Sequence, residues 1–120
     1  TAHAAEPCPF AGQTRMLQVQ MFFGQEDQNG RPIAAAAFAQ FLETAATPRF
    51  PTGFTVYDGQ GQWLDPDTKK LAHEKSKILQ VHAPDSAEVR KAVEELSRLY
   101  RETFHQKAVG IVTNESCASF

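Results

Sequence analysis

Side chains able to do chemistry crowd into one stretch, Thr47-Pro-Arg-Phe-Pro-Thr-Gly-Phe-Thr-Val-Tyr-Asp-Gly-Gln-Gly-Gln-Trp63. Arg49 stands between two prolines that restrain its backbone, and a guanidinium held in this way can clamp a carboxylate or phosphate through two parallel hydrogen bonds. The competing role is structural, with Arg49 paired to Asp58 or Glu74 to pin a hairpin. Asp58, just before Gly59, either bonds its own backbone in a turn or faces a pocket as a general base. Trp63 offers a flat face and one N–H donor for stacking a ring or sugar, and the same face can instead pack as core or lid. Tyr57 adds a hydroxyl beside these groups.

Other reactive types lie further along. Glu74, Ser76 and Lys77 precede an apolar run, but strand alternation puts Glu74 and Ser76 on one face and Lys77 on the other, so a Ser–Lys nucleophile pair is disfavoured. His73, His82 and His105 show no HxH, HxxH or HExxH spacing, and no metal site is expected. Thr1-Ala2-His3 could bind Cu(II) only if Thr1 is the mature terminus. Ala2-His3-Ala4 also has the small-x-small pattern that signal peptidase cuts after, and a leftover expression tail would look identical. Cys8 and Cys117 sit near opposite ends without zinc-type neighbours, which favours one disulfide and export to an oxidising compartment, periplasmic or secreted.

Composition excludes several classes. A chain of 120 residues, 42% apolar and 22% charged, is the size of one soluble globular domain. A formal net charge of −2 with interspersed signs gives no nucleic-acid footprint. No apolar run approaches the roughly 18 residues of a membrane span.

The elements that must position these groups follow from periodicity. Residues 1–13 read as an N-terminal arm, and 14–120 as a single domain. Met16 to Phe23 alternates as a half-buried strand. Pro32 opens a helix that Pro48 ends. Phe54 to Asp58 forms a second strand, Gly59-Gln-Gly61 a turn or bulge, and Asp65-Pro-Asp-Thr a tight turn. Lys75 to His82 is a third strand. A helix follows, capped by Asp85 in a capping box with Glu88 or by Ser86, with Val89, Ala92, Val93, Leu96, Tyr100 and Phe104 on its stripe. Ala108 to Thr113 is a fourth strand.

The order β-α-β-β-α-β predicts an α+β, ferredoxin-like fold, a four-stranded antiparallel sheet with both helices on one face. The first and last strands are then neighbours, which brings Cys8 near Cys117. The open face would carry Gln18, Gln20, Phe22, Tyr57, Ile78, Gln80 and His82. Such a face either stacks on a second copy as a dimeric barrel enclosing a pocket or stays solvated.

The run Phe22-Phe23-Gly24, the Thr47–Trp63 block, Glu74-Lys-Ser-Lys77 and the ending Cys117-Ala-Ser-Phe120 resemble the domain of unknown function 3574 family over about Met16 to Phe120. The resemblance implies a small, exported bacterial domain without an established activity. That family often has Glu and Tyr where Gln20 and Phe22 stand here, and an amide cannot exchange a proton at neutral pH.

Two functional readings follow. In the first, the chain is a small-molecule-binding or interaction module that takes an anionic or aromatic ligand. In the second, it is a small cofactor-independent isomerase, lyase or monooxygenase-like enzyme of the dimeric-barrel kind. There Arg49 would orient substrate and Asp58, Glu74 or His82 would handle protons. Neither reading needs a cofactor. The ligand-binding candidates are Arg49, Tyr57, Asp58, Trp63, Glu74, Gln20 and His82.

Overall fold

The computed structural model describes residues 6–120, so Thr1-Ala2-His3 and the Ala2-His3-Ala4 pattern lie outside the described residues. Strands β1 (Thr14–Gly24), β2 (Thr55–Leu64), β3 (Leu71–Ala83) and β4 (Gly110–Ala118) form one antiparallel sheet in the order β2-β3-β1-β4. The helical elements are α1 (Ala35–Phe41), a π-helical turn (Leu42–Ala46), α2 (Thr47–Arg49) and α3 (Ala87–Thr103). The fold is ferredoxin-like, as the element order predicts.

Alternation along β1 explains the layering. Val19, Met21 and Phe23 are buried under the helices, with Leu79 and Val81 of β3 beside them. Phe38, Phe41 and Phe104 surround Tyr100, whose ring centroid lies 4.5 Å from that of Phe23. Tyr100 has no exposed surface. Its hydroxyl donates to the Gly24 carbonyl and accepts from Gln25 Nε2 at 3.3 Å, so the polar end of this core ring is satisfied at the end of β1. Burial pushes the Tyr100 hydroxyl above its ordinary pKa.

Three local expectations are corrected. The first helix begins at Ala35 rather than Pro32, because Pro32 bridges Glu26 and Ile33 N donates to Gln25 O at 2.8 Å, which holds the chain extended there. It also runs through Pro48 to Arg49. Proline has no N–H for the Thr44 carbonyl and would clash with it, and the π turn relieves this by widening the ladder, Thr47 N donating to Leu42 O. The Gly59-Gln-Gly61 segment is neither turn nor bulge. It continues β2, with Gly59 opposite Ser76 and Gly61 opposite Glu74. The reversal is at Asp65, whose carboxylate accepts from Asp67 N at 2.8 Å and Thr68 N at 3.2 Å, while Lys69 takes the left-handed conformation (φ 62°).

Ser86 caps α3, accepting from Val89 N at 3.1 Å, and Asp85 instead binds Arg90 through both carboxylate oxygens at 2.8 Å. Cys8 and Cys117 form a disulfide across a sequence separation of 109. Among the described residues, no helix is long and apolar enough to cross a membrane.

Candidate functional site

The seven candidate side chains divide between the two faces of the sheet. Val56 of β2 opposes buried Leu79, so Asp58 projects toward the helix side, whereas Tyr57 and Trp63 project to the open side. On β3, Glu74 and His82 share the open side with Ile78 and Gln80, and on β1 Gln20 joins them. Arg49 stands on the helical layer. Five candidates therefore share a face, and Arg49 and Asp58 do not.

Arg49 takes neither partner foreseen for it. Its guanidinium donates to Glu95 Oε2 and to Ala45 O, each at 3.0 Å, and so joins the end of the first helix to α3. Asp58 pairs with Lys77, its cross-strand partner on the helix side. Asp58 takes neither the turn role nor the pocket-facing role: it lies in mid-strand on the helix side of the sheet, its side chain 77% exposed.

At the centre of the open face, Gln20 Nε2 donates to Tyr57 Oη at 2.6 Å and to Gln80 Oε1 at 3.2 Å. Tyr57 Oη also reaches Gln80 Oε1 at 3.4 Å, so three strands are joined by one small polar cluster. Ile78 beside it is only 4% exposed although it faces away from the helices. Gly59 makes room for it, because a Cβ there would stand 2.5 Å from Ile78 Cδ1.

Toward one end of the face lies a cleft of about 770 Å³, its walls including Phe22, Trp63 and Glu74. Glycines floor it. Gly24, Gly59, Gly61 and Gly110 all occupy open-face positions in the ladder. A Cβ on Gly24 would stand 2.5 Å from Glu74 Oε1 and 3.0 Å from Gln106 Oε1, so these two side chains cover the backbone there. Glu26, Asp27 and Glu74 outnumber Lys107 as fixed charges in this cleft. The Asp27 carboxyl is held below its usual pKa, chiefly by accepting from Arg31 N–H.

His82 stands toward the opposite end, where its ring lies 5.6 Å from that of Phe120 beside a second cleft of about 610 Å³. Glu74 and Tyr57 are four ladder positions apart, since Tyr57 opposes Ile78 and Gly61 opposes Glu74. That is about 13 Å along the strand. Ser76 and Lys77 project to opposite faces. Among the described residues, no group of three or more His, Cys, Asp or Glu side chains could hold a metal ion.

Sequence reasoning missed the glycine floor and the loop residues Gln106 and Lys107. The Gly59-x-Gly61 alternation was a visible sign of one bare strip. Gly24 and Gly110 join that strip only through the pairing of β1 with β3 and β4.

Comparison with known proteins adds two findings. Among solved structures, a phage SAM lyase in complex with S-methyl-5'-thioadenosine is similar over 97% of this chain and 97% of its own, with 14% identity and a TM-score of 0.59. The phage SAM lyase in its apo state matches over 97% and 98%, at the same identity and TM-score. At this identity the likeness establishes the fold alone. No curated protein matches the chain. Residues 18–120 match the family described as protein of unknown function (DUF3574), and the chain belongs to that family.

Proposed function

We propose that the chain is a small-molecule-binding domain whose open sheet face takes a planar, ring-bearing ligand with a positive charge or hydrogen-bond donors. The observation that carries this reading is the glycine floor under Glu74. Gly24, Gly61 and Gly110 line the cleft without side chains of their own, so the groups that meet a ligand there are the Glu74 carboxylate and Gln106 amide over Gly24 and the Trp63 ring near Gly61. Trp63 supplies a stacking surface at one end, and the Glu74 carboxylate accepts from a cation or donor over the floor.

The carboxylate excess in the cleft favours a cationic or neutral ligand over an anionic one. Arg49, the group best suited to an anion, is engaged with Glu95 on the helix side. The binding reading also has better support than the enzymatic one. The enzymatic reading needs two titratable groups to converge on a substrate, but Asp58 projects to the helix side and Glu74 and His82 stand eight positions apart on β3, about 26 Å. The disulfide supports export to an oxidising compartment.

The fold likeness suggests probes: S-methyl-5'-thioadenosine, and SAM, which keeps the same adenosine and adds a sulfonium charge at the sulfur together with an amino-acid arm. Trp63 is the chain's single tryptophan and reports on its own cleft. Either probe should change its emission saturably, SAM more tightly than the neutral thioether, and Glu74→Gln should remove that preference. Emission unmoved by both probes up to millimolar concentration would count decisively against the reading.

A further inference from the structure

Two acceptor oxygens meet over Gly24, and the fold fixes how the second is turned. Gln106 Nε2 donates to Glu26 O at 2.5 Å and to Phe104 O at 3.1 Å. A flipped amide would set Oε1 against those two carbonyls, so Oε1 is the atom left for the cleft, where it can only accept. It stands 3.0 Å from the position a Gly24 Cβ would take, and Glu74 Oε1 stands 2.5 Å from the same position. The two oxygens are therefore within about 5.5 Å of each other, a gap that two N–H···O bonds of about 2.9 Å from one nitrogen can span.

The backbone holds Gln106 in place. His105 takes the left-handed conformation (φ 52°) just past Phe104, the cap of α3, and Gln106 N donates to Arg101 O at 3.0 Å, the outer bond of a Schellman turn. That conformation is unfavourable for a residue with a side chain, and the turn it makes delivers the next residue to the cleft. Among the described residues, the Glu74 carboxylate has no salt-bridge partner, and the nearby Lys77 pairs with Asp58 on the other face. Trp63 opposes Ala72, two ladder positions beyond Glu74 and about 7 Å along the same face.

We propose that this cleft selects ligands whose charged group is itself an N–H donor, a primary ammonium, amidinium or guanidinium set on a flat ring. The proposal rests on the binding reading above and names its ligand class. The nitrogen hydrogens bond Glu74 and Gln106 together, the carboxylate supplies the opposing charge, and the ring extends toward Trp63. A cation without N–H, such as a quaternary ammonium, keeps the charge attraction but leaves Gln106 Oε1 desolvated and unpaired.

Benzamidine and trimethylphenylammonium test this, since both carry a flat ring and a single positive charge and only benzamidine carries N–H. Titrated against Trp63 emission on the oxidised chain, benzamidine should bind at least about tenfold more tightly. Gln106→Leu keeps similar bulk without the acceptor; with folding checked by far-ultraviolet circular dichroism, it should cut that ratio to about twofold and leave the affinity for trimethylphenylammonium unchanged. An undiminished ratio in the variant, or a parallel loss of both affinities, would overturn the role of Gln106 as second acceptor. The wild-type ratio decides the ligand class without any variant. Equal binding of the two cations, or silence from both where SAM still binds, would overturn the proposal and leave the binding reading in place. Emission unmoved by all three would overturn both.

Discussion

Replacing Tyr100 by Phe separates the core's apolar packing from its one buried hydroxyl and should show two signatures. The ring keeps its contacts with Phe23, Phe38, Phe41 and Phe104, whose centroids lie between 4.5 and 6.1 Å away. What is lost is the donation to Gly24 O and the acceptance from Gln25 Nε2. Gln25 retains Phe23 O at 3.0 Å and comes within 3.5 Å of Gly24 O, so neither group is orphaned. The expected cost at neutral pH is therefore that of ordinary buried hydrogen bonds, about 1–2 kcal/mol. The second signature appears in alkali. The folded-state pKa of Tyr100 is raised by burial above the ordinary value of 10.0, so the folded state holds its proton where the unfolded chain has lost it. Stability tied to this group is intact below pH 10 and falls as pH rises from there toward the folded-state value. At pH 11 the loss from this one group is about 1.4 kcal/mol. Urea unfolding of wild type and Tyr100→Phe at pH 8 and pH 11 measures both effects. The variant should be less stable at pH 8, and the gap should narrow or reverse at pH 11 because Phe cannot ionise. A gap that is constant between the two pH values would refute the argument that Tyr100 is kept protonated by burial.

Three further outcomes are expected. Gly24→Ala places a methyl group against the ends of two flexible side chains, Glu74 and Gln106, so stability should change by less than about 1 kcal/mol; binding of SAM, read from Trp63 emission, should fall at least tenfold. Arg49→Ala removes a half-buried pair with Glu95 and a bond to Ala45 O and should cost about 1–2 kcal/mol in thermal unfolding; the Trp63 emission titration should be unchanged, and a loss of binding would show that the helix side belongs to the site. Cys8→Ser/Cys117→Ser opens a loop of sequence separation 109, and denaturant unfolding should show a loss near 4–5 kcal/mol by the chain-entropy estimate; an unchanged midpoint would mean that the bridge adds nothing to stability.

The sheet and its helices were legible because alternation and helical spacing report burial directly. Leu17, Val19, Met21 and Phe23 give β1, and the stripe ending at Tyr100 and Phe104 gives α3. Glycine was misread. Gly59 and Gly61 look like a turn in one dimension, but here they are flat strand under the side chains of β3. The distinction is tertiary: only the register shows that Ile78 and Ser76 need the space a Cβ at Gly59 would take. Pro48 misled for a related reason, since a π turn can absorb a proline that an α-helix cannot. Adjacency in sequence also overstated the site. Tyr57 and Asp58 are neighbours in the chain and lie on opposite faces of the sheet, and the ladder rather than the density of the Thr47–Trp63 block decides which polar groups meet.

The placement of Gly24, Gly110 and the disulfide along β1 and β4 has a physical logic. In an antiparallel pair the start of one strand meets the end of the other. The Thr14 end of β1 therefore meets the Ala118 end of β4, where Cys117 opposes Arg15 and the arm is tied down through Cys8. At the other end of this pair, Phe22 opposes Gly110 and the strand finishes at Gly24, on the floor of the cleft. Each glycine in a strand costs about 0.5–1 kcal/mol relative to alanine. The four open-face glycines together cost about 2–4 kcal/mol, and a bridge worth about 4–5 kcal/mol offsets that weakness. The disulfide anchors one end of the β1–β4 pair, and Gly24 and Gly110 line the larger cleft at the other. Gly59 has a structural reason in Ile78 and Ser76, whereas a Cβ on Gly61 would meet nothing closer than the Glu74 carbonyl at 3.6 Å, so Gly61 in the cleft wall is the strongest physical argument that the cleft is a site.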